Sequence, residues 1–167
     1  MFRTVEDFLN EYQQLNERTI KIFSELADSN LKKAVKAGYR NLGQLAWHIV
    51  VTVPEMMGRT GLPVSSVDQE APPPKSAAKI LKGYKQVSHE LKEAIKSQWT
   101  DKTLLQTDDM YGEAWMRGKT LFSLITHEIH HVGQMTVLLR QAGAQVPGLY
   151  GPSKEEWSQF GMQPPSY

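Results

Sequence analysis

The chain has 167 residues, 19 of them basic and 18 acidic, a formal net charge of +1 and no cysteine. That length suits one domain over residues 1–167 with a core that needs no staples, and the balanced charge gives no electrostatic case for nucleic acid. The missing cysteine excludes disulfides, thiolate metal sites and a cysteine nucleophile, and it fits a reducing compartment.

The segment Met1–Asp7 lacks the apolar core of a signal peptide. No later stretch approaches the ~18 apolar residues of a membrane span, so a cytoplasmic location is expected. A first helix is predicted over 4–27, where Val5, Phe8, Leu9, Tyr12, Leu15, Thr19, Ile22, Phe23 and Leu26 recur at three- and four-residue steps. Thr4 with Asp7 resembles a capping box. Residues 31–40 are polar and basic, and Lys32, Lys33, Lys36 and Arg40 read as a solvated helix end rather than a docking stripe.

A second helix is predicted over 41–59 on the stripe Leu42, Leu45, Ala46, Ile49, Val53, Met56 and Met57, with Pro54 expected to bend it. Residues 61–74, with Gly61, Pro63 and the run Pro72–Pro73–Pro74, cannot be helical throughout and suggest a long crossover. A third helix is predicted over 76–99 with Ser76 as its cap. Residues 100–118 break the helical period and read as a small extended segment turning near Gly112. A fourth helix is predicted over 118–142, stopped by Gly143, and a Pro/Gly-rich tail carries one short helix over 153–160. Four amphipathic helices with one long crossover predict an all-α four-helix bundle.

The fourth helix carries His127–Glu128–Ile129–His130–His131. His127 and His131 are four residues apart, so they share a face at a spacing that lets two imidazoles bind one ion. At about 100° per residue His130 points nearly the opposite way, to solvent, while Glu128 falls inside the apolar stripe. A carboxylate there needs a partner: a histidine nitrogen, a lysine or arginine, or an ion. His48, on the flank of the second helix, supplies a third ligand, and Glu55 lies two turns along the same flank. Hydrogen-bonded core histidines are the alternative to a metal centre. The same stretch also matches H-E-x-x-H, the zinc-protease motif, with Glu128 as base and Glu155 or Glu156 as third ligand. The extended form of that motif needs Gly and His where this chain has Gln134 and Val137, and a protease of that kind leaves His48 unused.

The segments Arg40–Ile49 (RNLGQLAWHI), His127–Gln134 (HEIHHVGQ) and Val146–Ser153 (VPGLYGPS) resemble the DinB-like (YfiT-like) family. The resemblance runs from the first helix to the tail. It implies a bundle in up-down-down-up order and one divalent ion, nickel or zinc, held by His48, His127 and His131 with water completing the shell. It also implies a homodimer. Characterised relatives include thiol S-transferases and thiol-dependent isomerases, and much of the family has no known reaction.

An open fourth position on the ion points to a thiol S-transferase or a hydrolase acting on a small molecule. Because the chain has no cysteine, any thiol must arrive as a low-molecular-weight cosubstrate. Glu128, as catalytic residue, or Glu55 is a candidate proton acceptor. Tyr111, Trp115, Tyr150 and Trp157 are candidates to cover the mouth, with the crossover, the extended segment and the tail shaping it. A non-catalytic metal- or ligand-binding bundle and the protease stand as alternatives.

Overall fold

The computed structural model describes residues 2–166. Four α-helices carry it: α1 (Val5–Ser24), α2 (Leu42–Arg59), α3 (Ala77–Gln98) and α4 (Arg117–Gln141). Each lies within a few residues of its predicted range, because the periodic apolar stripes of the sequence are the faces that become buried. In α1, Phe8, Tyr12, Leu15, Ile22 and Phe23 are at most 1% exposed, which leaves the stripe's margin, Val5 and Leu9, at the edge of the core.

Helix ends are fixed by specific polar contacts. Thr4 Oγ1 accepts from Asp7 N at 3.0 Å, but the Asp7 carboxylate turns back to Arg3, so the predicted box forms by half. Asn41 and Gln44 form a complete box at the start of α2. Ser76 does not cap α3. Asp28, far back in the chain, accepts from Ala77 N at 2.7 Å in its place and ties the end of α1 to the start of α3.

α1 and α2 each pack against both α3 and α4, so the first two helices of the chain sit at opposite corners. α2 is the most enclosed element, with 12 of its 18 residues buried, well beyond the predicted stripe. Part of the excess is Trp47. Its indole lies so close to Gly83 of α3 that a Cβ there would come within 3.1 Å of the ring, and its Nε1 donates to Ala71 O of the crossover at 2.9 Å. The crossover is further pinned by Glu90, whose carboxylate accepts from Ser65 N and Ser66 N at 3.0 and 2.8 Å.

Between α3 and α4 a short 3-10 turn (Asp101–Leu105) leads into an antiparallel hairpin of β1 (Thr107–Met110) and β2 (Glu113–Met116). Its two-residue loop is Tyr111–Gly112, with φ of 62° and 85°, the doubly positive geometry that matches the twist of paired strands. Glycine adopts it freely. Tyr111 is the non-glycine residue that does so among the described residues. Arg117 holds Asp108 with two hydrogen bonds of 2.8 and 3.0 Å and fixes the hairpin on the first turn of α4. The tail is mostly irregular, and its helical part shrinks to a 3-10 turn, Trp157–Phe160. No helix among the described residues is long and apolar enough to cross a membrane.

Candidate metal centre

His48 stands in the second turn of α2, and its carbonyl accepts from Thr52 Oγ1 at 2.7 Å. His127 and His131 project from one face of α4. The packing of α2 on α4 brings all three rings together. His127 Nε2 lies 3.1 Å from His48 Nε2 and 3.1 Å from His131 Nε2, and the three candidate ligand atoms all fall within 4.8 Å of one another. The rings meet edge to face, with centroids 4.4 to 4.9 Å apart and interplanar angles of 67° to 81°.

The donor set fits a metal ion better than a hydrogen-bonded cluster. Tetrahedral nitrogen ligands at ~2.0–2.1 Å from an ion lie about 3.3 Å from one another. A neutral imidazole Nε2 carries either one N–H or one in-plane lone pair, so His127 Nε2 cannot satisfy two nitrogens equally. The rings are also held in the metal-binding protonation state. Burial, helped by the charge of Arg40 and by the other imidazoles, pulls His48 down to about 4. Burial and the neighbouring histidines pull His127 to about 4, and burial lowers His131 as well. Each ring is therefore neutral at physiological pH, with a lone pair to offer.

Gln134 is a neighbour of the centre that the helical wheel did not single out. Its Oε1 lies 2.7 Å from His131 Nδ1. Nδ1–H donating there leaves Nε2 with the free lone pair, which sets the tautomer a metal needs. The amide group is held in turn by His130 Nε2, 3.1 Å from Gln134 Nε2. His130 is exposed, as expected, yet it is linked to the centre through this amide. The available signal was spacing: Gln134 is three residues from His131 and four from His130.

Glu128 is placed elsewhere. One residue past His127 it is rotated toward α1 and α3, 1% exposed, and its Oε1 accepts from Thr19 Oγ1 at 2.6 Å and Tyr84 OH at 2.5 Å. Two hydroxyls therefore take the place of the expected histidine, base or ion. Burial raises its carboxyl to about 7, opposed by those two hydrogen bonds. The other acids of the protease motif are also committed: Glu155 binds Arg140 at 2.7 Å, and Glu156 accepts from Gly148 N and Ser153 N. The third nitrogen at the centre is that of His48.

A cavity of about 890 Å³ borders the centre at His48 and His127. Glu55, Arg59, Tyr111 and Trp115 form part of its wall. Glu55 accepts from Arg59 Nε and from Tyr111 OH, both at 2.7 Å, and the Arg59 guanidinium lies 4.3 Å from the Tyr111 ring centre. Burial and the Glu55 carboxylate push the Tyr111 phenol up to about 12, so it stays a donor. The crossover contributes Gln69 and Glu70. Among the described residues the tail contributes nothing to this wall. Tyr150 lies against Arg18, 4.5 Å from its ring centre, and Trp157 sits in the terminal turn, so these two aromatics do not cover the mouth as expected. Lys32, Lys33, Lys36 and Arg40 lie in the α1–α2 connection and not on a helix end.

A sequence model described as the DinB family matches residues 1–165. The uncharacterized protein YrdA of Bacillus subtilis (strain 168) is 40% identical over 165 residues, covering 99% of each chain. Among solved structures, a DinB-like protein from Bacillus cereus ATCC 10987 superposes with a TM-score of 0.86 at 40% identity, over 90% of this chain and 100% of the other. A DinB-like protein from Bacillus subtilis, YjoA, gives 0.68 at 14% identity over 85% and 96%, a likeness of fold alone.

Proposed function

The chain belongs to the DinB family, and we propose that it is a divalent-metal-dependent enzyme of the thiol S-transferase or hydrolase type. The observation that carries this is the convergence of three neutral imidazoles beside a cavity large enough for a small substrate. A closed structural site ordinarily has four protein ligands, and the clustered set here has three. Bound there, nickel or zinc would supply Lewis acidity toward a water or thiol in the cavity.

The chain's own residues do the rest. His48, His127 and His131 hold the ion, and Gln134 keeps His131 in the right tautomer. Trp115 gives the cavity an apolar surface, and the linked Tyr111, Glu55 and Arg59 give it one polar wall. Glu55, bordering the cavity, is better placed than buried Glu128 to exchange a proton with a substrate. With no cysteine in the chain, a transferred thiol is a small cosubstrate.

Three further readings belong to the same proposal. The up-down-down-up order is supported by contacts along the helices and their connections: Gln13 with Lys92 and Phe23 with Tyr84 run α1 against α3, Trp47 beside Gly83 and Ser65, just past α2, on Glu90 set α2 along α3, and His48 with His131 and Glu55 with Tyr111, just before α4, set α2 against α4. A homodimer and a cytoplasmic location rest on the family resemblance and the cysteine-free composition. Light scattering of purified protein tests the dimer.

The reaction is tested by purifying the protein without affinity nickel, loading zinc or nickel, and assaying small electrophiles with low-molecular-weight thiols beside ester and amide substrates. Turnover should require the ion and vanish in His48→Ala. Metal binding without turnover on any of these would move the protein to a non-catalytic metal- or ligand-binding role.

A further inference from the structure

A second cavity, of about 620 Å³, meets the histidine centre through His131, where the first meets it through His48 and His127. Its wall joins the α1–α2 connection, through Val35, Tyr39 and Arg40, to Val137 and Leu138 of α4. Three of these side chains leave large apolar surfaces in water: Val35 is 66% exposed, Tyr39 65% and Val137 54%. Scattered apolar residues need no explanation, but here they line one concavity.

Arg40 supplies its charge. Arg3, Arg59, Arg117 and Arg140 each hold a carboxylate at 3.1 Å or closer. Among the described residues Arg40 makes no such pair, although it is close enough for its charge to oppose protonation of all three imidazoles. Gln134 also lines this cavity, and its amide nitrogen has a second N–H beyond the one directed at His130.

We infer that this second cavity binds small amphiphilic carboxylates, with the carboxylate on Arg40 and the hydrocarbon part over Tyr39, Val35, Val137 and Leu138. The guanidinium offers a planar fork that matches a carboxylate with two parallel hydrogen bonds. An apolar lining with a few placed polar groups, at this volume, is the usual form of a small-molecule site. A neutral or cationic analogue of equal length meets the same apolar wall but leaves Arg40 unpaired or repels it. The inference does not depend on the metal, since Arg40 is not one of the clustered ligands.

The test uses the full-length, metal-free protein and amide NMR titrations with octanoate, 1-octanol and octylammonium. Octanoate should shift resonances of Tyr39, Arg40 and Val137, and bind at least about tenfold more tightly than either analogue. Arg40→Gln should weaken octanoate about tenfold with the remaining spectrum unchanged. Val137→Asp, which places an acid in the cavity at an exposed position, should weaken octanoate and let octylammonium bind. No shifts at these residues, equal binding of 1-octanol, shifts confined to the first cavity, or unchanged octanoate affinity in both variants would overturn the inference.

Discussion

His127 and Glu128 are neighbours on α4, and each is the centre of a polar cluster inside the bundle, but the two clusters are built on opposite terms. His127 meets two other imidazoles around one shared point beside a cavity. Glu128 meets the hydroxyls of Thr19 and Tyr84 in the closed core between α1 and α3. The first brings together acceptor atoms that repel one another unless a cation joins them. The second is a carboxyl whose Oε1 already has its donors, while its buried Oε2 has no partner among the described residues. One rotation of about 100° along the helix separates a site that receives something from outside from one that ties three helices together. Two adjacent residues of one motif therefore need not share a function.

The largest effect that separates the clusters is on metal. His48→Ala, His127→Ala and His131→Ala should each drop metal content from one ion per chain toward zero, whereas Glu128→Gln should retain it, as read by elemental analysis. Loss of the ion in Glu128→Gln with its fold intact would merge the two clusters. Next comes Gln134→Ala, which frees the His131 tautomer and should weaken metal binding about tenfold. His130→Ala, which removes only the contact to Gln134 Nε2 and an edge-to-face contact with the His131 ring and no ligand, should cost much less. Equal losses from the two would mean that the relay is misassigned.

Stability separates the clusters in the other direction. Glu128→Ala leaves two buried hydroxyls without an acceptor and should cost about 2–4 kcal/mol in urea unfolding of the metal-free protein. His127→Ala in the same metal-free state should cost less, since it relieves crowded imidazoles.

The smallest and sharpest comparison is with pH. Folded His48 and His127 titrate at about 4, below the ordinary histidine value of 6.5, so between those values the unfolded chain binds more protons and their contribution is lost as pH falls. Folded Glu128 titrates at about 7, above its ordinary 4.5, so in that window the folded chain binds the proton and stability is lost as pH rises. The two slopes oppose each other between about 4.5 and 6.5. Metal-free wild type should show a shallow dependence there, and Glu128→Gln a distinctly steeper fall toward acid. Parallel curves for the two proteins would remove Glu128 from the account.

What the sequence made legible follows the same division. The helices and the three histidines can be read because period and spacing within one helix, or on two apolar-striped helices, are local patterns. Glu128 could be seen to be buried, but not what satisfied it, because Thr19 and Tyr84 are 109 and 44 residues away and hydroxyls carry no pattern. Asp28 capping α3 and Tyr111 reaching Glu55 are invisible for the same reason. Tyr150 and Trp157 misled because aromatics in a Pro/Gly-rich tail look like a lid, whereas the aromatics that border the cavity, Tyr111 and Trp115, come from the hairpin. Gln134 and Arg40 fell inside the motif segments, but only the packing of α2 and its preceding connection on α4 gives them partners or neighbours.

The most direct test is a crystal structure of zinc- or nickel-loaded protein with anomalous data at the metal edge. The account predicts a single strong peak within about 2.0–2.3 Å of Nε2 of His48, His127 and His131, with a remaining position facing the cavity. A peak held instead by Glu128, Glu155 or Glu156, or no ordered ion among the three rings at saturating metal, would contradict it.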